Sequence, residues 1–329
     1  MKIAIINNLY PPYQKGGAET IVVGMVKKLR DSGHEVFVIS SSPKESYREN
    51  NVYYIESPYQ KLKDKSTTEK LFIYLQNKQS KEIKKILIKE KPALVVTHNL
   101  LGLGFKTAKI ISDLKIVHKH YLHDIQLLHP SGLMYYKKES IINSPQARVY
   151  QYLNRQYFKN TIEVLSPSKW LIELHQAKGF FQKAKIIIKK PEIRIEKANI
   201  TKDKNLCLFV GQIEPHKGIK ELLSAFEDTK DKRLELVGDG SLKGQDEANI
   251  KFLGRLNREK TLNKIAEANL LIVPSICYEN YPTVILEAQA LGTKVIGSKL
   301  GGILELLQED EMFEPMSINS LKNKIKELV

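Results

Sequence analysis

Short apolar runs alternate with longer amphipathic stretches along the whole chain. Residues 2–7, 35–39, 93–97, 114–122, 161–166 and 186–188 read as strands in the first half, and 206–210, 234–237, 250–254 and 269–273 in the second. Most of these runs are apolar throughout rather than alternating, as expected of parallel strands buried on both faces. Helical spacing recurs between them. Ile21, Val22, Met25, Val26 and Leu29 place a helix over about 18–31, closed by Gly33, so the chain opens with a βαβ unit. A lysine-rich helix is predicted over 66–91, with Leu71, Leu75, Ile83, Ile86 and Leu87 inward and Pro92 beyond its end. Further helices are predicted over 146–160, after the N-cap Ser168, around Leu222, Leu223 and Phe226, after Pro282 and over 318–328. Residues 130–145 show no periodicity and read as a mobile loop. The pattern predicts an α/β fold of two Rossmann-like domains. Their expected spans are 1–190 and 205–329, joined by a charged, poorly periodic linker over 191–204.

Composition changes this picture only at the margins. At 329 residues, 42% hydrophobic and 27% charged, the chain is long enough for two cores. No run approaches the length of a membrane span, and the apolar start is too short for a secretory signal, so the expected location is the cytoplasm. The two cysteines, Cys207 and Cys277, lie in or beside predicted strands without metal or redox spacing and read as buried thiols.

Charge is uneven. Residues 1–195 carry 33 Lys and Arg against 16 Asp and Glu, or +17, and residues 196–329 carry 19 against 21, or −2, which together give the net +15. A basic first half can attract nucleic acid, an anionic membrane or an acidic substrate, or serve only for solubility. No nucleic-acid-binding motif accompanies it, so no nucleic-acid partner is expected.

Candidate chemistry concentrates in one stretch. The apolar run 269–273 ends at Pro274, and Pro282 sits at the first turn of a new helix, where its missing N–H costs nothing. The backbone N–H groups of Thr283 and Val284 would then be free at a helix start, an arrangement that binds phosphate. Glu279 lies in the intervening loop and Glu287 eight positions later, inside the helix. Two such carboxylates can hold a nucleotide sugar at two points; read alone, they are equally a solvated loop Glu and a helix Glu paired with a Lys. Gly211-Gln212-Ile213-Glu214-Pro215-His216-Lys217-Gly218 follows another strand and joins a glycine-bearing turn to one clear cation, Lys217. Strand ends at 234–240 and 250–256, including Gly254, are expected to offer backbone groups to a nucleobase and ribose.

In the first half, Gly16-Gly17 stands where a G-x-G-x-x-G would mark a dinucleotide reductase, and that motif is absent. The pair permits close approach of a ligand to the backbone or makes a plain turn. Five histidines fall between His98 and His129, none in the helical pairing with Glu that a zinc protease needs. His118, His120 and His129 read as satisfied strand or loop residues. His98 remains either a sheet-edge site residue or a loop histidine.

These residues resemble glycosyltransferase family 4, the retaining, nucleotide-sugar-dependent enzymes of the GT-B fold. The match runs through Glu279 and Glu287 with seven residues between, Glu287-Ala288, Leu291-Gly292-Thr293, Val295-Ile296-Gly297-Ser298 and Gly301-Gly302-Ile303-Leu304-Glu305. The resemblance implies two domains facing across a cleft, with Glu279, His123 and Lys217 as catalytic groups. It implies a donor site of Gly16, Gly17, Gly211, Gln212, Lys217, Gly254, Glu279, Pro282, Thr283, Val284 and Glu287. His123, with Asp124, would lie near the transferred sugar, Glu279 would hold the sugar hydroxyls and Glu287 the ribose. Gly16-Gly17 would face the acceptor and the donor diphosphate across the cleft, and the aperiodic loop 130–145, by its own residues, reads as acceptor-facing. The family usually carries an Arg where this chain has Gln212, which removes a bidentate cation from the expected phosphate site. No Asp-x-Asp occurs, so no metal ion and no cofactor is expected. Family members usually continue into a last helix that crosses back onto the first domain, whereas this sequence ends at Val329.

The expected activity is transfer of a hexosyl-type unit from a nucleotide diphosphate sugar to an acceptor hydroxyl, with retention and without metal, in envelope polysaccharide or glycolipid synthesis. The acceptor would be a glycan or a lipid-linked glycan, and the basic half would attach peripherally to the inner face of the plasma membrane. The alternatives are a sugar-nucleotide epimerase of the same fold and a non-catalytic, basic partner protein.

Overall fold

The computed structural model describes the chain except residues 14–16, 58–77, 192, 194, 196–199, 228, 230 and 329. Two compact units emerge, one of residues 1–133 and 140–190, the other of 134–139 and 191–329. Gly16 and positions 66–77 of the lysine-rich helix, with Leu71 and Leu75, lie outside the described residues, as does part of the expected linker.

The first unit is built on an eight-stranded sheet. Its strands are β1 (Lys2–Ile6), β2 (Glu35–Ser42), β3 (Tyr47–Glu49), β4 (Val52–Glu56), β5 (Leu94–Thr97), β6 (Val117–Tyr121), β7 (Glu163–Ser166) and β8 (Lys185–Ile188). They lie in the order β3-β4-β2-β1-β5-β6-β7-β8, and every pairing is parallel except β3 with β4. Helices α1 (Gly17–Asp31), α2 (Lys78–Glu90), α3 (Lys106–Asp113), α4 (Pro145–Phe158) and α5 (Lys169–Ala177) complete it. Val22 and Val26 of α1 bury against Ile3, Ile5, Val36, Val38 and Val96, the side chains of one sheet face. Ser144 and Ser168 cap α4 and α5, their hydroxyls accepting the N–H groups of Ala147 and Leu171.

Parallel strands end together, so β1, β5 and β6 deliver Asn7-Asn8, His98-Asn99 and His123-Asp124 to one sheet edge. The hairpin β3–β4 and the helix α3 had no counterpart in the sequence reading.

The second unit carries a wholly parallel six-stranded sheet of β9 (Asp203–Val210), β10 (Arg233–Val237), β11 (Ile250–Gly254), β12 (Ala268–Val273), β13 (Lys294–Ser298) and β14 (Met312–Phe313). The order is β11-β10-β9-β12-β13-β14. Helices α6 (Ile219–Phe226), α7 (Arg258–Glu267), α8 (Thr283–Ala290) and α9 (Ile318–Leu328) cover it. Successive residues of β9 feed opposite cores. Cys207 and Phe209 pack with Ile219, Leu222 and Phe226 of α6 and Leu321 and Ile325 of α9. Leu206 and Leu208 pack with Ile265 of α7 and Ile285 and Ala288 of α8. Burial on both faces explains the unbroken apolar runs in the sequence. Cys207 and Cys277 are buried free thiols.

The loop expected at 130–145 is ordered. Within the second unit, Tyr135 pairs with Cys277, the Tyr136 N–H donates to Ile276 O at 3.0 Å and the Tyr278 N–H to Met134 O at 2.9 Å. Residues 139–143 then form a 3₁₀ turn leading into α4. Backbone pairing to a segment more than a hundred positions away holds a stretch that has no periodicity of its own.

Candidate active site

Glu279 occupies the loop between β12 and α8, and its Oε1 accepts hydrogen bonds from Lys217 Nζ at 2.5 Å and Ser275 Oγ at 2.6 Å. Burial opposes the carboxylate's charge, but Lys217 and the Ser275 hydroxyl outweigh it and hold the carboxyl below its ordinary range. Burial likewise opposes the ammonium of Lys217, and Glu279 raises it above the usual lysine value. Both groups are therefore charged at neutral pH.

Three glycines bring the backbones this close. Lys217 ends a 3₁₀ turn over Pro215–Lys217, and Gly218 follows it in the left-handed conformation, with φ +71°. A Cβ on Gly218 would lie 1.9 Å from Pro274 O, so only glycine lets the turn meet the loop. His216 O then accepts the N–H groups of Ile276 and Cys277 at 3.1 and 3.2 Å. On the far side, the Gly302 N–H donates to Glu279 O at 2.7 Å. A Cβ on Gly302 would fall 1.9 Å from Asn280 O, and one on Gly301 2.6 Å from Glu279 O.

Gly211, Gly238 and Gly254 end or follow the adjacent strands β9, β10 and β11. The Gly211 N–H donates to Val237 O and the Gly238 N–H to Gly254 O, and a Cβ on Gly238 would meet Gly211 O at 1.8 Å. Gln212 is exposed beside them. α8 starts at Thr283, with Val284 next, and Pro282 stands at the N-cap position one residue earlier than expected. It has no side-chain oxygen to cap the helix start.

Glu287 is almost fully buried in α8, and its Oε1 accepts a hydrogen bond from Arg258 Nη1 at 2.5 Å. Arg258 is the first residue of α7, after the N-cap Asn257, and its side chain is 61% exposed. The sequence reading missed Arg258. A cation is unfavourable at a helix start, so the position is a signal in itself, but its partner lies 29 positions away.

His123 belongs to the first unit. Its Nε2 lies 2.8 Å from His98 Nδ1, and the two rings stack with Tyr121. His98 is buried behind, while His123 and Asp124 are partly exposed. Burial lowers His123 to about 4 and raises Asp124 to about 7. Asn99 Nδ2 donates to Asp124 Oδ2 at 3.3 Å and the Gln126 N–H to Asp124 Oδ1 at 2.7 Å. His98 follows the last residue of β5 at the sheet edge, and the pairing of β5 with β6 brings it beside His123. His118 and His120 both meet Thr97 Oγ1, at 2.7 and 2.8 Å, and His129 meets Ser131. Among the described residues, no cluster of three or more His, Cys, Asp or Glu is arranged to hold a metal ion. No helix among them is long and apolar enough to cross a membrane.

Comparison with known proteins gives these geometries a context. Residues 15–188 match the model of Glycosyltransferase Family 4 and residues 190–329 that of Glycosyl transferases group 1. A 42.6 kDa protein from the cps region of Klebsiella pneumoniae is 26% identical over 332 residues, covering 93% of this chain and 87% of its own length. A lipopolysaccharide 1,2-N-acetylglucosaminetransferase of Salmonella typhimurium is 34% identical over 154 residues, 40% of each chain. Among solved structures, Anabaena HepE in complex with UDP and glucose aligns with a TM-score of 0.67 at 17% identity, covering 99% of this chain and 89% of that one. The apo form of the lipopolysaccharide outer core galactosyltransferase WaaB aligns at 0.69 and 15% identity, covering 100% and 90%. Both units are thus those of the GT-B fold, and the chain belongs to glycosyltransferase family 4.

Proposed function

We propose that this glycosyltransferase is a retaining, metal-independent enzyme that moves a sugar from a nucleotide diphosphate sugar to an acceptor hydroxyl. The observation that carries the reading is the buried contact of Lys217, Ser275 and Glu279. It fills Oε1 of an ionised carboxylate, and among the described residues no donor engages Oε2. That oxygen is suited to accept hydrogen bonds from sugar hydroxyls. Lys217 and the start of α8 at Thr283 and Val284 supply the positive field for a departing diphosphate, a fixed electrostatic arrangement that needs no reorganisation during reaction. Glu287 takes the ribose, and Gly211, Gln212 and Gly254 line the nucleotide side. Gly16, Gly17 and His123 serve the sugar and acceptor side. The departing phosphate assists deprotonation of the acceptor, by analogy with the family. UDP in the HepE complex supports a nucleotide donor.

The acceptor is an envelope glycan or glycolipid. Support comes from the lipopolysaccharide transferases and the cps-region protein among the relatives. The excess of +17 in residues 1–195 suits peripheral attachment to the anionic inner face of the plasma membrane.

The test is a thermal-shift screen of the full chain against UDP-, GDP-, ADP- and dTDP-sugars, because a ligand that binds only the folded state raises the midpoint with occupancy. A concentration-dependent rise with one nucleotide class is expected. No rise with any of them overturns the reading.

A further inference from the structure

Residues 134–139 belong to the second unit and lie along the stretch that leads into Glu279. The Tyr136 N–H donates to Ile276 O and the Tyr278 N–H to Met134 O, on either side of the Tyr135–Cys277 pairing. The N–H groups of Ile276 and Cys277 go the other way, to His216 O. A segment from the first half of the chain is therefore one of the two supports of 276–278. One side chain locks that segment. Tyr135 O accepts the Lys138 N–H at 3.0 Å, and Lys137 sits within this turn at φ +62°, a conformation that favours glycine. Glu139 Oε1 accepts both the Lys137 N–H at 2.9 Å and the Tyr278 hydroxyl at 2.8 Å. A single carboxylate oxygen thus pins the strained turn and ties it to the residue directly before Glu279. Burial opposes the charge on Glu139, but its own N–H, the Tyr278 hydroxyl and the Lys137 N–H outweigh it and hold the carboxyl below its ordinary range. A charged acceptor makes both bonds the stronger kind.

We infer that Glu139 is a positioning residue: acting through Tyr278, it fastens residues 134–139 along the loop before Glu279 and so sets where that carboxylate stands. Backbone strain such as that at Lys137 persists only where the surroundings over-determine it, and it gathers at functional loops. Glu139 supplies that constraint from one side and the backbone pairing from the other. The consequence for sugar transfer rests on the functional reading above, whereas the fastening does not.

The test combines amide hydrogen exchange with turnover in the full chain, for the parent, Glu139→Ala, Glu139→Gln, Tyr278→Phe and the double variant Glu139→Ala/Tyr278→Phe. Exchange at the Tyr136 and Tyr278 amides reports the fastening, and exchange along β9 reports global stability. Glutamine keeps an accepting oxygen, alanine removes it, and phenylalanine keeps the ring of Tyr278 without its hydroxyl. In Glu139→Ala and Tyr278→Phe the two amides are expected to exchange about 10-fold faster, the scale of a lost hydrogen bond to a charged group, with β9 unchanged. Glu139→Gln should stay near the parent, and Glu139→Ala should add little once Tyr278 is Phe. Turnover is measured with whichever of the UDP-, GDP-, ADP- and dTDP-sugars stabilises the parent. Its kcat is expected to fall about 10-fold in the alanine and phenylalanine variants and to recover in Glu139→Gln, with KM for the nucleotide sugar within about threefold of the parent, because misplacing a reacting group costs rate rather than binding. Parent-like exchange at the two amides in Glu139→Ala, or faster exchange shared by β9, overturns the inference. So does a parent-like kcat in a variant whose two amides exchange faster. If Glu139→Ala does not fold, Tyr278→Phe, which lacks a single oxygen, decides by the same criteria. The exchange measurement needs no donor, so a parent that turns over none of these sugars would contradict the functional reading, and the exchange pattern would still decide the fastening.

Discussion

Lys217 Nζ meets Glu279 Oε1 at 2.5 Å across 62 positions of sequence, and the contact joins the turn after β9 to the loop after β12. The two strands are neighbours in the sheet, so their ends meet as a consequence of strand order. Lysine and carboxylate are both mostly buried, at 24% and 15% exposure, and removing either leaves the other charge without its partner. Lys217→Ala is expected to weaken binding of a free nucleoside diphosphate by about 1–3 kcal/mol, the scale of a lost charged hydrogen bond. Calorimetric titration checks it, and unchanged affinity contradicts the phosphate role.

Glu287 and Arg258 give a second prediction. Glu287→Ala is expected to cost about 1–3 kcal/mol in nucleoside diphosphate affinity, with sugar-independent loss across donors. Arg258 is largely exposed, so Arg258→Ala should change folding stability by no more than about 1 kcal/mol. Denaturant titration beside nucleotide titration separates the two effects. Wild-type nucleotide affinity in Glu287→Ala contradicts the assignment of the ribose to that carboxylate.

The glycine contacts predict a backbone effect with no lost polar group. In Gly302→Ala the new methyl would fall 1.9 Å from Asn280 O, so the loop that carries Glu279 must shift. The expected cost is about 1–3 kcal/mol of stability, as for an overpacked site, together with loss of transfer. Gly292→Ala provides the comparison, because nothing lies within 4 Å of its added Cβ, and its φ of +70° brings a strain unrelated to the loop. Equal transfer activity in Gly302→Ala and the parent contradicts a tight cradle around the loop.

Much of this was legible in the sequence. Buried parallel strands, the βαβ opening, the helix after Pro282 and the candidates Lys217, Glu279, Glu287 and His123 follow from local pattern or motif order. What was missed depends on contacts between distant segments. Arg258 is a cation at an unfavourable helix start, and what it pairs with shows only once Glu287 is seen beside it. Residues 134–139 carry no period because their order comes from Ile276 and Tyr278. The hairpin β3–β4 is short, and the polar face of Tyr47–Glu49 gives no strand signal against its turn residues. The helix α3 spans only Lys106–Asp113 and buries Thr107, Ala108, Ile110 and Ile111, too few positions to fix a helical period.

Stability should fall on mild acidification. Burial lowers His118 to about 3 and His123 and His175 to about 4, and it lowers His98 and His120 as well. In the unfolded chain a histidine titrates near 6.5. Above that pH both states are neutral and the stability is complete. As the pH drops below about 6.5 the unfolded chain takes up protons that the folded one refuses, so stability is lost down to the folded values. Asp124, raised to about 7, acts in the opposite sense, since its contribution is present at low pH and lost as pH rises through 7. Five histidines outweigh one aspartic acid. The melting temperature is expected to be highest near or above pH 7 and to fall steadily to pH 4, and a flat profile over that range contradicts buried neutral imidazoles.

Peripheral attachment predicts salt-sensitive sedimentation of the full chain with anionic vesicles. Each lysine near such a surface contributes about 1 kcal/mol, within a Debye length of about 8 Å at physiological salt. Lys81, Lys84, Lys85 and Lys89 of α2 and Lys137 and Lys138 are the described residues to neutralise first. Binding to phosphatidylserine vesicles at low salt and release at high salt are expected. Equal binding to neutral and anionic vesicles contradicts it.

On the proposed reading, the charged Lys217–Glu279 pair presents the second carboxylate oxygen, which no donor engages among the described residues, to a sugar carried on a nucleotide. Release of nucleoside diphosphate from the stabilising nucleotide sugar, measured for the full chain and for Glu279→Ala, decides whether it does. The expected result is turnover by the parent and a fall of at least about 100-fold in Glu279→Ala, equal to about 2.7 kcal/mol of transition-state stabilisation, with nucleoside diphosphate affinity nearly unchanged. Parent-like turnover in a folded Glu279→Ala, or nucleotide binding lost in step with turnover, would contradict it.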